Sequence, residues 1–159
     1  MRKTYWLSGA RFTVHASHED AAGSYDLVEG GGPPGFQAPL HRHKRNAEQI
    51  YVVEGEWTIW AGNQKAVLQP GDSFTVPVGT AHTVAVTGDR PGRALVFASP
   101  RGFARLISEV GTPGEGEEVP PSAATDMDLL LRISAEVGDE ILGPPGALPD
   151  EFAEPRGER

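Results

Sequence analysis

The sequence contains no cysteine. Disulfide bonds, thiolate metal ligands and cysteine nucleophiles are therefore excluded, and any bound metal must be held by nitrogen and oxygen atoms. The chain also has no apolar run near the roughly 20 residues that cross a bilayer. Its first residues, MRKTYWLSGARF, lack the apolar stretch of a secretory signal. These absences predict a cytoplasmic protein that does not enter a membrane.

Positive charge is scarce as well. The 159 residues include 14 lysines and arginines against 22 aspartates and glutamates, which gives a net charge of -8. Because nucleic-acid-binding proteins need a basic face, we expect neither nucleic acid nor an anionic membrane as a partner. The length is sufficient for one domain with its own core.

Glycine and proline are abundant, at 20 and 14 residues, and they separate short runs that are rich in β-branched and aromatic residues. Among these runs are RFTVHA, SYDLVEG, QIYVVEGEWTIWAG, HTVAV and RALVFASP. Runs spaced by about 8–12 residues are typical of a β-sandwich or barrel. WAGNQK and QPGD are typical of tight turns. The sequence therefore predicts an all-β domain over residues 1–100.

After residue 100 the apolar spacing becomes helical. We predict one helix over residues 101–111 and a second over 125–138, with Thr125 as its N-cap and a linker, TPGEGEEVPPSAA, between the two. Two short helices cannot form a core of their own. We therefore expect residues 101–145 to pack on the β domain, across its outer face or over its mouth, and 146–159 to form a flexible tail. The apolar stripes are Phe103, Leu106, Ile107 and Val110 in the first helix and Leu130, Ile133 and Val137 in the second.

The stretch HRHKRNAEQIYVVEG, residues 41–55, contains the most informative polar pattern. Residues i and i+2 of a strand share a face, so His41 and His43 project together, and Glu48 begins the next apolar run. Taken alone, the two histidines equally fit a solvated basic loop. His82, however, starts another apolar run, where a histidine needs a polar partner. Imidazole and carboxylate groups suit Fe, Mn, Ni, Co or Zn, and ligand type alone does not choose between these metals.

These residues also stand at fixed spacings that resemble the two motifs of the cupin family. The first motif is Gly35, His41-x-His43, Glu48 and Gly55, and the second is Gly71, Pro77-x-Gly79 and His82. Val86 stands where the family pattern often has asparagine. The resemblance implies a small cupin-type jelly-roll barrel with one divalent transition metal ion (Fe, Ni, Mn, Co or Zn) and no nucleotide cofactor. The ligands that it implies are His41, His43, Glu48 and His82.

A single β domain with a helical C-terminal extension that includes EILGP is similar to the bacterial quercetin-dioxygenase-like cupins. This resemblance implies an enzyme that uses O₂ to oxidise a flavonol-like or other aromatic, polyketide-type phenol or enol, with Glu48 as a catalytic base. Two alternatives stay open. One is a non-redox isomerase, cyclase or decarboxylase, and the other is a cupin that binds a small molecule without turnover. Because the edge strands of small barrels often pair between copies, we also expect a homodimer.

The predicted substrate pocket follows from the positions expected to face inward. Trp57 and Trp60 have opposite parity, so a regular strand turns only one of them inward, and Trp60 is included in the predicted pocket. His15 and His18, in HASHED, are interpreted as loop residues. The predicted lining residues are Phe36, Ile50, Val52, Trp60, Phe74, Val84, Val86 and Phe97.

Overall fold

The computed structural model describes residues 3–116, 118 and 123–152. Within them the chain forms twelve strands and two α-helices. The strands are β1 (Lys3–Leu7), β2 (Ala10–Ala16), β3 (Asp26–Gly32), β4 (Pro39–His43), β5 (Ala47–Glu54), β6 (Trp57–Ala61), β7 (Gln64–Leu68), β8 (Ser73–Val76), β9 (His82–Val86), β10 (Gly92–Ser99), β11 (Thr112–Pro113) and β12 (Asp139–Pro145). The helices are α1 (Phe103–Val110) and α2 (Met127–Val137).

Two antiparallel sheets make up the β domain. One has seven strands in the order β11-β1-β2-β3-β10-β5-β8, and the other has five in the order β12-β4-β9-β6-β7. The predicted jelly roll is thus confirmed, although in the described part of the chain the two sheets do not join into a closed barrel. The predicted turns are also present. Gly62 adopts φ 56° between β6 and β7, and the Asp72 N–H donates to the Gln69 carbonyl at 2.9 Å.

Two apolar cores hold the fold together, because apolar side chains release water when they pack. The first lies between the sheets. It contains Ile50, Val52, Trp57, Ile59, Ala61, Leu68, Val76, Val86 and Ala94. The second joins the helices to the seven-stranded sheet, and it contains Leu7, Val28, Ala104, Leu106, Ile107, Val110, Leu130, Ile133 and Val137.

Both predicted helices are present and start two residues later than expected. In α2 the N-cap is Asp126 and not Thr125, because the Asp126 side chain accepts a hydrogen bond from the Leu129 N–H. The helix ends at Gly138, whose φ of 90° lies in the left-handed region that favours glycine. The α1 N-terminus is satisfied from outside the helix, since the buried Asp26 carboxylate accepts from the Gly102 and Ala104 N–H groups at 2.6 and 3.3 Å.

The segment after α2 was not predicted as a strand. Residues 139–145 form β12, which pairs with β4 and extends the five-stranded sheet. Part of the predicted linker, residues 112–113, pairs with β1. Of the predicted flexible tail, residues 150–152 form a 3₁₀ helix and 153–159 lie outside the described residues. In the described part of the chain, neither helix has the length and apolar character to cross a membrane.

Candidate metal centre

The four residues that the cupin resemblance implies as ligands meet at one point between the sheets. His41 and His43 project from the same face of β4, and His82 lies directly opposite His41 on β9. Glu48 reaches the same point from β5, in the facing sheet. The candidate ligand atoms of all four residues lie within 4.8 Å of one another. The three imidazoles and the carboxylate therefore form a single cluster.

A tight turn fixes the position of His82 relative to β4. Gly79 adopts φ 81°, which a residue with a side chain rarely does. Its N–H donates to the carbonyl of His43 at 2.7 Å. This bond ties the segment before β9 to the strand that carries the other two histidines, so the backbone itself sets the spacing of the cluster.

Each imidazole is oriented through its Nδ1 atom. The Nδ1 of His41 is 2.7 Å from the Pro39 carbonyl oxygen, and the Nδ1 of His82 is 2.9 Å from the Thr80 carbonyl oxygen. A carbonyl only accepts hydrogen bonds, so Nδ1 carries a proton in both rings and Nε2 is the ring nitrogen left to bind a metal. The Nε2 of His82 is buried and has no hydrogen-bond partner among the described residues. An uncompensated buried nitrogen beside a carboxylate is what a divalent metal ion would satisfy.

His43 and Glu48 form a buried ion pair. The Nε2 of His43 lies 2.8 Å from Oε2 of Glu48, and the Nε2 of His82 lies 3.8 Å from Oε1. Burial disfavours a charged His43, but the charge of Glu48 and the bonds to Asp139 and Glu48 outweigh it and raise the pKa of His43 to about 10. Burial likewise opposes ionisation of Glu48, yet His43 and His82 hold the pKa of its carboxyl well below the usual range.

His41 has the opposite behaviour. Desolvation, followed by the neighbouring His82 and His43 rings, lowers the pKa of His41 to about 3. The imidazole is therefore neutral at physiological pH and needs to lose no proton before it binds a cation. In the metal-free protein the cluster contains a ready ligand at His41 and a protonated one at His43.

A cavity of about 130 Å³ adjoins the cluster, and His41, His43 and Glu48 line one side of it. Its other walls are almost entirely apolar, and both helices contribute residues to them. The predicted lining residues Phe36, Ile50 and Val84 lie on these walls. The remaining lining residues include Leu7, Ser8, Ala10, Phe12, Trp57, Ala94, Val96, Phe103, Leu106, Ile107, Leu130, Asp139 and Ile141.

Two predicted lining residues lie outside the cavity, and strand parity explains both. Trp57 faces inward and is 4% exposed, whereas Trp60 faces outward with the Lys65 ammonium 5.7 Å from its ring. Phe97 is 38% exposed and packs on Tyr25 at the outer surface. Its neighbour on β10, Val96, lines the cavity instead. Trp60 and Phe97 are therefore not among the residues that line the cavity.

Three further predicted residues face inward but do not reach the cavity. Val52 and Val86 belong to the core between the sheets, where they are 0% and 1% exposed. Phe74 packs against the same core from β8. These three residues therefore belong to the core and do not line the cavity.

Two other histidines lie apart from the cluster. His15 is 3.1 Å from Glu29 at the surface, and the Nδ1 of His18 is 3.4 Å from Asp26. The sequence analysis missed Asp139, whose Oδ1 is 2.6 Å from Nδ1 of His43. No spacing in the sequence links these two residues, because they are 96 positions apart. The only signal in the sequence for a role of Asp139 was its position directly after Gly138, which ends the second helix.

Comparison with known proteins agrees with this geometry. Residues 32–98 match the cupin domain family. The chain is 30% identical to a quercetin 2,3-dioxygenase of Bacillus subtilis (strain 168) over 124 residues, which are 77% of this chain and 36% of that protein. Across the curated relatives that it matches, the chain spans between 36% and 59% of their lengths.

Solved structures show the same architecture. KdgF from Halomonas sp. has a TM-score of 0.53 and 25% identity, over 58% of this chain and 80% of that one. An RmlC-like cupin from Shewanella frigidimarina has a TM-score of 0.50 and 26% identity, over 58% of this chain and 78% of that one.

Proposed function

The chain belongs to the cupin superfamily through residues 32–98, and we propose that it is a metal-dependent dioxygenase that acts on an aromatic phenol or enol. The observation that carries this proposal is a cluster of three imidazoles and one carboxylate that opens onto an apolar cavity. The partial identity to a quercetin 2,3-dioxygenase supports the choice of reaction. The proposed reaction cleaves a C–C bond between two oxygen-bearing carbons and adds both atoms of O₂ to the substrate, so the substrate supplies all four electrons and no separate reductant is needed.

The proposed ligands are His41, His43, Glu48 and His82. A divalent transition metal ion held there would polarise a substrate hydroxyl and lower its pKa. Glu48 is the proposed catalytic residue. Its carboxylate borders the cavity, so it can accept the hydroxyl proton while the surrounding apolar walls exclude water.

The size of the cavity limits the substrate. At about 130 Å³ it is close to an engineered cavity of about 150 Å³ that binds benzene. One aromatic ring therefore fits as the protein stands, whereas a three-ring flavonol exceeds this volume. We propose a single ring with adjacent oxygen atoms as the preferred occupant. Among the described residues that line the cavity, only Ser8 and Asp139 add polar side chains to the cluster.

Oxygen uptake tests the proposal. The metal-free protein is loaded separately with Mn(II), Fe(II), Co(II) or Ni(II) and incubated with catechol or quercetin. We expect O₂ consumption with product formation for at least one metal, and faster consumption with catechol. Glu48→Gln, which keeps the shape of the side chain, should reduce kcat by about 10²–10⁴-fold. Glu29→Gln, at the surface, is the matched control.

Two results would contradict the proposal in different ways. Tight binding of catechol without O₂ consumption would make the protein a binding module, and product formation without O₂ consumption would make it a non-redox enzyme. The metal content of Glu48→Gln is measured in parallel, so that a lost metal is not mistaken for a lost base.

We also propose that the protein forms a homodimer. The outer surface exposes large apolar side chains, among them Tyr25, Tyr51 and Phe97, at 37%, 43% and 38%. Covering such residues is favourable, and cyclic dimers are the commonest closed assemblies. Sedimentation equilibrium checks this proposal, and a mass equal to one chain across the concentration range would contradict it.

A further inference from the structure

We infer that Asp139 is a positioning residue of the metal centre, which it completes from the C-terminal extension by holding His43 in place. The inference rests on the proposed metal site but not on the proposed reaction. Asp139 lies outside the cupin-matched residues 32–98. It also lies on β12, which was not predicted as a strand.

Strand pairing places Asp139 beside the cluster. β12 runs antiparallel to β4, with Asp139 opposite His43 and Ile141 opposite His41. Both β12 residues border the cavity. Asp139 is 8% exposed, and its Oδ1 lies 2.6 Å from Nδ1 of His43. One face of β12 therefore supplies a carboxylate to a metal ligand and a wall to the cavity.

This contact differs in kind from those of the other two imidazoles. His41 and His82 donate to the backbone carbonyls of Pro39 and Thr80, which no substitution removes. His43 donates to a carboxylate, and a hydrogen bond to an ionised acceptor is roughly twice as strong as a neutral one. Such a partner fixes the ring and makes its other nitrogen a better electron donor. The three Nε2 atoms of the cluster are therefore unequal as metal ligands, and Nε2 of His43 is the strongest electron donor among them.

The position of Asp139 depends on α2. Gly138 ends that helix with φ 90°, and its carbonyl accepts from the Lys44 N–H at 2.9 Å. A Cβ at position 138 would lie 2.8 Å from Cδ of Arg45. A larger residue at this position would strain the backbone and displace the Arg45 side chain. The helix end and the His43 side chain are thus joined through two consecutive residues.

Metal binding tests the inference without any turnover assay. The dissociation constant for Co(II) and the visible absorption of the Co(II) form are compared for the wild type, Asp139→Asn and Glu140→Gln. We expect Asp139→Asn to weaken Co(II) binding by about 10–100-fold and to shift the absorption bands. Glu140→Gln is the matched control. Glu140 neighbours Asp139 on β12 but pairs with Arg42 and Lys44, at 2.6 and 3.3 Å, so binding and spectrum should stay unchanged.

Asp139→Glu is the second variant, in case the Asp139→Asn protein does not fold. It keeps the charge and moves the oxygen by one methylene, so we expect a shifted spectrum with a smaller loss of affinity. Unchanged binding and spectra in the Asp139 variants would overturn the inference. An equal loss of Co(II) affinity in Glu140→Gln would also overturn it, because the loss would then come from a general disturbance of β12 and not from the contact between Asp139 and His43.

The test also separates this inference from the proposed function. Suppose that the wild type binds Co(II), that Asp139→Asn weakens this binding, and that the protein consumes no oxygen with any metal. This result would refute the dioxygenase proposal but not the role of Asp139. A wild type that binds no metal would refute both.

Discussion

His41 and His82 lie directly opposite each other on adjacent strands, with ring centroids 4.3 Å apart. Two protonated imidazoles at this separation would repel each other strongly in a buried site. The low pKa of His41, at about 3, removes that repulsion by keeping the ring neutral. His41 therefore presents a neutral nitrogen donor, which is the form of imidazole that binds a transition metal.

Removing one of these donors should abolish tight metal binding. We expect His82→Ala to lower the affinity for Co(II) or Ni(II) by more than about 100-fold, because one of four ligands is lost and the cluster cannot close around the ion. Metal content after gel filtration checks this. His15→Ala is the matched control, since His15 pairs with Glu29 at the surface. Full metal retention by His82→Ala would contradict the ligand set.

Metal binding should release about one proton at neutral pH. The pKa of His43 is raised to about 10, so its imidazole is protonated below that pH and must lose a proton before Nε2 binds a metal. His41, with a pKa of about 3, has none to lose. The dissociation constant should therefore fall about tenfold per pH unit between about pH 7 and 9. Calorimetry in buffers of different ionisation enthalpy measures the number of protons released on metal binding. A dissociation constant that does not change with pH would contradict the prediction.

A larger side chain in the cavity wall should weaken substrate binding and leave metal binding unchanged. Ala94 is 2% exposed and lines the cavity from β10. We expect Ala94→Val to weaken catechol binding by about tenfold, because even one added methylene is felt in a well-packed interior, and to cost about 1–3 kcal/mol of stability if the wall cannot adjust. Phe97→Leu, on the outer face of the same strand, should change neither. Equal effects of the two variants on catechol binding would argue against this cavity as the binding site.

Replacement of aspartate by asparagine at two helix N-termini should lower the free energy of unfolding by very different amounts. Asp26 is 0% exposed and accepts backbone N–H groups on both oxygens. Asp26→Asn turns an NH₂ group toward these donors, and we expect a loss of about 2–4 kcal/mol in the free energy of unfolding. Asp126→Asn should cost less than about 0.5 kcal/mol, because asparagine caps helices as well as aspartate. Urea denaturation measures both, and similar losses would refute the comparison.

Strand parity and motif spacing were sufficient to predict the cluster. His41 and His43 share a face because they are two residues apart, and Glu48 and His82 begin apolar strands whose inward positions they continue. These are local properties of single strands. The helices were predictable for the same reason, since their apolar stripes recur at three and four residues and each is followed by a glycine.

The errors arose where a position depends on distant partners. Whether Trp57 or Trp60 faces inward is set by the pairing of β6 with β9, where Trp57 lies opposite the core residue Val86. Asp139 meets His43 only because β12 adds to the edge of β4. A strand interrupted by glycine and prolines, as DEILGPP is, carries little local signal.

The place of β12 has a consequence for the unfolded and partly folded chain. Without β12, one side of β4 would expose unpaired N–H and C=O groups beside two histidines, which is a template for intermolecular β-pairing. A recombinant fragment that stops before residue 139 would therefore be prone to aggregate during refolding, even though it contains every residue of the two cupin motifs. The last strand thus protects the metal-bearing strand from misassembly.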